Sequence, residues 1–364
     1  MLSVYEAFKL VLGIVISLVI LTVVIYFTTN YIGVQKDAKQ AATLKAFLKS
    51  AGDVYTTGDA IGFAGLEGLI SFDAHPPAGI VSSLGKAPVT FPLLLLPADD
   101  LFISANGLDL GWYDFRVVEA TPRLRVLFNP VDTSDQTWDL VRGIVAAFPS
   151  TEFFDPKTTF GFCDGATVIE NLCASTACEQ DDFLFELINP SGVAFADCTA
   201  TVPEGAVVIK VIPTCSLGSS DVFCLTPPNQ VGLGNLYIGG EGPVIYKDPL
   251  DVVAAVIGGG KKDLYGNSGE TLFEYKNRAM RTELLAATDV LKTRVLLLGP
   301  AYLQHATCQA AFNDILLALS NLSSLLETNE DYYADPSAAA AYVAALTDAR
   351  QAHESLVEEG CDYA

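Results

Sequence analysis

The sequence predicts a mixed α/β ectodomain with a cysteine-rich β segment and a C-terminal helical bundle, carried behind one N-terminal transmembrane helix. Three observations predict this class. An uncharged, apolar run opens the chain between Leu10 and Gln35, six cysteines crowd between Cys163 and Cys224, and helical periodicity dominates from Asp248 onward. The chain accordingly divides into a short tail (1–9), a transmembrane helix (10–31), a helical stalk (32–58), an α/β domain (59–162), a disulfide-rich β segment (163–247) and a helical C-terminal part (248–364).

The anchor comes first. Leu10–Phe27 is almost entirely Leu, Ile and Val, and roughly 20 apolar residues suffice to cross a bilayer. Tyr26 and Tyr31 fall where aromatic side chains sit at a membrane–water interface. A cleaved signal peptide fits less well, because the apolar run is longer than an h-region of about 7–15 residues and no small-x-small site follows it. Beyond the span, Leu44, Phe47, Leu48 and Ala51 recur at helical spacing, so anchor and stalk are expected to form one helix, with Gly33 as its only interruption. Lys36, Lys39, Lys45 and Lys49 follow the span. The positive-inside rule would place them in the cytoplasm, but long domains cross largely regardless of charge.

The cysteines decide the compartment. Cys163, Cys173, Cys178, Cys198, Cys215, Cys224, Cys308 and Cys361 are even in number. Only Cys173 and Cys178 approach the spacing of a zinc pair, and no second pair or nearby histidine completes such a site. Disulfides are therefore expected, and with them an oxidising, extracytoplasmic location. The pairing of the six clustered cysteines stays open. For the other two, geometry is informative. Helices at Leu303–Glu327 and from Asp335-Pro336 to Glu359 should form an antiparallel hairpin. Cys308 lies about 19 residues before the connection and Cys361 about 25 after it, so at ~1.5 Å per residue both reach the open end. A Cys308–Cys361 bond is expected.

Between these landmarks the chain alternates strand and helix signals. Val89–Leu96 is an apolar strand, and Leu101–Ser104 and Gly111–Val118 flank Asn106-Gly107, a dipeptide suited to a tight hairpin turn. Leu124–Phe128, a helix at Gln136–Phe148 capped by Thr133 or Ser134, and Thr158–Phe162 make a βαβ unit with a parallel pair. Asp182–Ile188 and Ala206–Ile212 are strands of the cysteine-rich segment. A short helix from Asp248-Pro249 to Gly258–Gly260 precedes a longer one, from Ser268 as N-cap to Leu298, stopped by Gly299-Pro300.

The run KDPLDVVAAVIGGGKKDLYGNSGETLFEYKNRAM, with the upstream segments WDLVRGIVAAFPSTE and GFCDG, resembles uncharacterised single-pass membrane proteins of small-genome archaea. The resemblance spans most of the chain. It implies an archaeal cell-surface setting, and it carries over neither a mechanism nor functional residues.

Composition narrows function further. Aromatic residues at 10% and hydrophobic ones at 51% exclude a disordered chain. A net charge of −22 excludes the cationic surface that nucleic acid requires. The expected partners are the lipid bilayer and proteins at the cell surface.

No cofactor is expected, because each motif that invites one fails on its chemistry. Asp132-Thr133-Ser134-Asp135-Gln136 resembles the metal loop of von Willebrand A-type domains, but Gln136 replaces a ligand and helix capping explains the rest. Gly258–Lys262 lacks the spacing and the hydroxyl residue of a phosphate loop. Gly232-Leu233-Gly234-Asn235-Leu236-Tyr237 lacks the third glycine of a dinucleotide fingerprint. Gly266-Asn267-Ser268-Gly269 lacks the nucleophile-elbow frame. His305 and His353 both fall on the C-terminal hairpin without a placed carboxylate. Asn321-Leu322-Ser323 is a glycosylation sequon in mid-helix. These readings favour a non-enzymatic, membrane-anchored surface protein with a binding or envelope-assembly role. A pilin-like filament subunit, suggested by Glu6 before the apolar run, and an extracytoplasmic enzyme or solute-binding domain are the alternatives.

Overall fold

A computed structural model of the protein describes residues 4–66, 71–73, 76–122, 124–131, 134–148, 160–169, 195–202, 206–215, 222–238, 243–258, 271–302 and 305–361. The first element is a single helix, α1 (Val4–Thr57), unbroken through Gly33. At ~1.5 Å per residue it is roughly 80 Å long. Its two halves meet different surroundings. From Ile16 to Phe27 the large apolar side chains are 47–68% exposed, whereas Leu44, Phe47, Ala51 and Val54 are buried and Leu48 packs beside them. The stalk face expected from periodicity is thus the face that enters the core.

Three sheets follow among the described residues. Strands β1 (Ile61–Ala64), β2 (Ser71–Asp73), β3 (Gly79–Ser82), β4 (Gly85–Pro88), β5 (Leu93–Leu95), β6 (Asp100–Asp109) and β7 (Asp114–Thr121) form a four-stranded sheet of order β1-β6-β7-β5 and a three-stranded antiparallel sheet β2-β3-β4. The C-terminal half of α1 packs on β1, β6 and β7, with Phe47 edge-on to Phe63 at 5.4 Å. Burial of every β7 residue from Val117 to Thr121 shows that both faces of this strand are covered.

Strands β8 (Arg125–Pro130), β9 (Phe160–Asp164), β10 (Thr167–Ile169), β11 (Ala206–Val211), β12 (Val222–Leu225), β13 (Gly234–Tyr237) and β14 (Val244–Tyr246) build a seven-stranded sheet of order β10-β9-β8-β11-β12-β13-β14. Its centre is parallel, with β8 paired to β9 on one side and β11 on the other. Helix α2 (Asp135–Ala147) connects β8 to β9, as the βαβ pattern requires, and Ser134 is its cap, accepting from the Thr137 N–H. The sheet draws β8 and most of β9 from the expected α/β domain and the other strands from the cysteine-rich segment, so hydrogen bonding runs across residues 162 and 163.

Among the described residues four more α-helices follow: α3 (Pro249–Gly258), α4 (Leu272–Leu298), α5 (Ala306–Thr328) and α6 (Pro336–Glu358). Apolar residues from α1 through Cys361 join one continuous core.

Two local expectations are corrected. The β6–β7 hairpin does not turn at Asn106-Gly107; both residues lie inside β6, paired with Val117 and Arg116. The chain reverses four residues later, where the Asp109 carboxylate accepts from the Gly111 N–H at 2.7 Å and Gly111 adopts φ +85°. That side-chain-to-backbone bond supplies a turn of its own, while Asn106 donates to the Ala147 carbonyl and fastens the hairpin to α2. Likewise α4 is capped by Thr271, not by Ser268, through reciprocal bonds between Thr271 and Glu274. The T-x-x-E signal was present in the sequence and outranks a lone serine. Ser268 and Asp182–Ile188 lie outside the described residues.

Among the described residues three disulfides are present. Cys308 and Cys361 join with a Cα–Cα separation of 5.5 Å, closing the α5–α6 hairpin at its open end. Cys163 pairs with Cys198 and Cys215 with Cys224; Cys173 and Cys178 lie outside the described residues. The fully buried Asn129 of β8 organises the first bridge. Its amide donates to the carbonyls of Cys163 and Ala196, and its Oδ1 accepts from the Cys198 N–H.

Because Cys308 and Cys361 lie 53 residues apart in sequence, removing their bond should release substantial unfolded-chain entropy. Replacing both by serine is expected to lower stability by roughly 2–4 kcal/mol. Denaturant unfolding of the two proteins under non-reducing conditions measures the difference, and coincident curves would show that helix packing alone holds the hairpin.

Candidate functional site

Two features have geometry that bears on function. The first is the bare half of α1. Its window of greatest hydropathy is wholly unburied within the body and long enough to cross a bilayer. Within it the Thr22 hydroxyl donates to the Leu18 carbonyl at 2.8 Å, a bond that satisfies this donor without water. At the far end the Gln35 amide donates to the Tyr31 hydroxyl at 2.8 Å, consistent with a polar interface beginning near that turn. Lys36, Lys39, Lys45 and Lys49 are all exposed on the stalk that follows.

The second feature is a cluster of charges inside the body. Asp248 and Pro249 open α3: the Asp248 carboxylate accepts from the Asp251 N–H at 2.9 Å, leaving Asp251 in the first turn. Every described residue of α3 from Leu250 to Gly258 is buried, so the Asp251 carboxylate has no route to water. Lys276 on α4 reaches it at 2.6 Å, and Lys247 from the β14–α3 junction reaches both its oxygens at 3.0 and 3.1 Å. The Lys247 ammonium also donates to Asn277 Oδ1 at 2.7 Å, an oxygen that accepts in addition from the Tyr332 hydroxyl at 2.8 Å. The Asn277 amide nitrogen donates to the Phe273 carbonyl. Tyr332 stacks on Tyr342 with centroids 4.4 Å apart, and the Lys247 ammonium lies 5.5 and 5.9 Å from the two rings.

These contacts set the ionisation states. Burial alone would raise the Asp251 pKa, but Lys247 and Lys276 hold it below the ordinary aspartate range. Burial disfavours the Lys247 ammonium, yet Asp251, Tyr332 and Asp248 together keep it well above the usual lysine value. Burial also pushes the Tyr342 phenol up to about 12. Glu119 of β7 lies on the margin of the cluster. Its pKa rises to about 8 because burial outweighs the attraction of Lys276, and its Oε1 has no hydrogen-bond partner among the described residues.

The cluster escaped sequence reading because Lys247 and Asp251 are far from Lys276, Tyr332 and Tyr342 in the chain. One signal was available: Asp251 is the only charged residue in the otherwise apolar stretch PLDVVAAVIG. A charge inside a helix buried on all sides requires a partner.

The other sequence-derived candidates do not assemble. His305 precedes α5 against Tyr302, while His353 lies against Trp112. No group of three metal-ligating side chains occurs among the described residues. Ser134 acts as a cap; Asp132, Thr133, Gly259–Lys262 and Gly266–Gly269 lie outside the described residues. Gly232-Leu233-Gly234 leads into β13, not into the helix that a dinucleotide turn must open. Asn321 is exposed in the middle of α5, but Ser323 of its sequon is buried. A groove of about 320 Å³ between β13 and the start of α6 is lined by Thr226, Asn229, Leu233 and Ala340 and contains no titratable side chain. No protein family, no curated protein and no solved structure matches the chain.

Glu119 gives the protein a predictable response to pH. Unfolded, its carboxyl ionises near 4.5; folded, it stays protonated until about pH 8. Between these values the unfolded chain binds fewer protons than the native one, so stability is full below pH 4.5, falls as pH rises, and is lost for this group above about 8. Glu119→Gln should flatten that window and stabilise the protein at pH 8 by the order of 1–3 kcal/mol. Denaturant titrations at pH 5 and pH 8 check it; equal slopes against pH in both proteins would refute the assignment.

Proposed function

We propose that this is a single-pass membrane protein whose body lies outside the cytoplasm, at the surface of an archaeal cell, where it binds protein partners or contributes to an envelope assembly. The supporting observation is the division of α1. One continuous helix offers an apolar half that the body leaves bare, and its other half is locked into the core of that body. Such a helix fixes the body rigidly to whatever its free half enters. Disulfides support the extracytoplasmic side, since Cys163–Cys198, Cys215–Cys224 and Cys308–Cys361 would be reduced in an ordinary cytoplasm. The resemblance of the KDPLDVV segment to archaeal single-pass proteins supplies the cellular setting.

A second reading, a pilin-like filament subunit, has its own support: α1 buries Leu44, Phe47, Ala51 and Val54 against a four-stranded, mostly antiparallel sheet and projects its apolar half freely. In this reading the bare half packs against other copies in a filament and not only against lipid. The enzyme reading draws no support from the buried charges, which are engaged with one another and closed to solvent.

Protease added to intact cells should degrade the body and leave a membrane-bound fragment containing the span. Full protection in cells without a shielding wall would reverse the orientation. Shearing the cells and inspecting the released material for filaments containing the chain separates the two readings.

Leu18 lies mid-span and is 62% exposed. Leu18→Arg is expected to disfavour insertion by about 2.5–3.5 kcal/mol, moving much of the protein to the soluble fraction. Unchanged membrane retention on fractionation would mean that another segment anchors the chain.

A further inference from the structure

The cluster around Asp251 holds an arrangement that ion pairing alone does not require: a lysine amine in contact with a side-chain amide. We propose that Lys247 and Asn277 form an intramolecular isopeptide bond, with Asp251 as the proton acceptor and donor and Tyr332 as the group that polarises the amide.

Three requirements for such a bond are met by named atoms. The first is proximity. The Lys247 Nζ lies 2.7 Å from Asn277 Oδ1, and both residues are held by helix starts, Lys247 just before α3 and Asn277 in the second turn of α4. Holding the reactants together in this way replaces an encounter with an internal step and removes much of its entropic barrier. The Asn277 Nδ2 is itself tied to the Phe273 carbonyl at 3.0 Å, which keeps the amide oxygen turned toward Lys247.

The second requirement is polarisation and proton transfer. The Tyr332 hydroxyl donates to Asn277 Oδ1 at 2.8 Å and would stabilise the negative charge that develops there when Nζ attacks Cγ. The Asp251 carboxylate touches Nζ with both oxygens and is the acceptor for the proton that Nζ must shed before it can attack. Because the surrounding carboxylates favour the ammonium, the reactive amine is a minor form; a reaction occurring once per molecule tolerates a slow rate.

The third requirement is exclusion of water, which would otherwise compete for the amide. Asn277 is 1% exposed, the Asp251 side chain 0%, and the Lys247 side chain 7%, and the stacked rings of Tyr332 and Tyr342 lie beside the ammonium.

The step balances. The Nζ–Cγ bond forms and the Cγ–Nδ2 bond breaks. Nζ keeps one of its three protons, and the other two depart with Nδ2 as an ammonium ion, so neither oxidant nor cofactor is needed. Lys276 accounts for the charge that remains: with the Lys247 charge gone, the buried Asp251 carboxylate still has a partner at 2.6 Å. Asp248, 3.4 Å from Lys276 and 3.6 Å from Lys247, completes a cluster of two lysines and two carboxylates.

The test is the intact mass of the purified, folded full-length chain after reduction of its disulfides. The bond predicts a mass lower than the sequence value by one ammonia, together with a branched peptide, after proteolysis, that joins the Lys247 and Asn277 fragments. Lys247→Arg and Asn277→Ala should each restore the sequence mass and remove the branched peptide, and Tyr332→Phe should leave a larger unlinked fraction at early times after synthesis. A folded wild-type chain, verified by circular dichroism, that shows the unmodified mass would overturn the proposal. So would a loss of ammonia that maps elsewhere, for example to an asparagine in a loop. Because the decisive measurement is made on the wild-type protein, a variant that fails to fold does not affect it.

Discussion

The body depends on keeping a buried carboxylate neutralised. Asp251 sits in a helix with no exposed face, and the lysines that balance it come from two directions: Lys247 from the end of the seven-stranded sheet and Lys276 from α4. Asn277 and Tyr332 complete the polar shell and bring in the turn before α6. Loss of both lysines would leave Asp251 a stranded buried charge, and breaking a buried ion pair typically costs about 3–5 kcal/mol. This requirement of mutual satisfaction fixes where α3, α4 and the final helical hairpin meet. An apolar core of the same volume would leave that meeting point less specified.

A second constraint acts along α1. A single helix cannot change its backbone geometry when its surroundings change, so the transition is written entirely in side chains. Ile16–Phe27 presents apolar groups around the whole circumference, while from Leu44 onward only one face is apolar. Stalk lysines and the exposed rim of the helix lie between the two regimes. Because α1 is continuous, displacement of its apolar half is transmitted to the body. That stiffness suits a surface protein that must hold its body at a fixed distance from its support, and it equally suits a subunit stacked through its helices.

Disulfides serve a different part of the molecule. Cys163–Cys198 and Cys215–Cys224 each tie a residue outside the strands to a strand of the seven-stranded sheet. Asn129 shows how this is enforced locally: a fully buried amide of β8 spends its hydrogen bonds on the backbone of the bridged segment. The Cys308–Cys361 bond instead closes two long helices whose packing is already extensive, adding a constraint on the unfolded chain more than a new native contact.

What the sequence by itself determined were features with a local or periodic signature. The apolar run gave a membrane-length helix, the i, i+3, i+7 pattern at Leu44, Phe47 and Ala51 gave its buried face, and Asp335-Pro336 gave the start of α6. Antiparallel helices of known rise brought Cys308 to Cys361, because rise per residue is a constant of the backbone. Only the tertiary structure decided the pairing of Cys163 with Cys198, the strand order that unites β8 and β9 with β11–β14, and the turn at Gly111 in place of Asn106-Gly107. It alone decided the charge cluster too, since Glu119, Lys247 with Asp251, Lys276 and Tyr332 come from four separate stretches of chain. Local patterns report backbone propensity and amphipathic faces; they do not report which distant side chains will share a site closed to water, and at Asp251 that is what sets the chemistry.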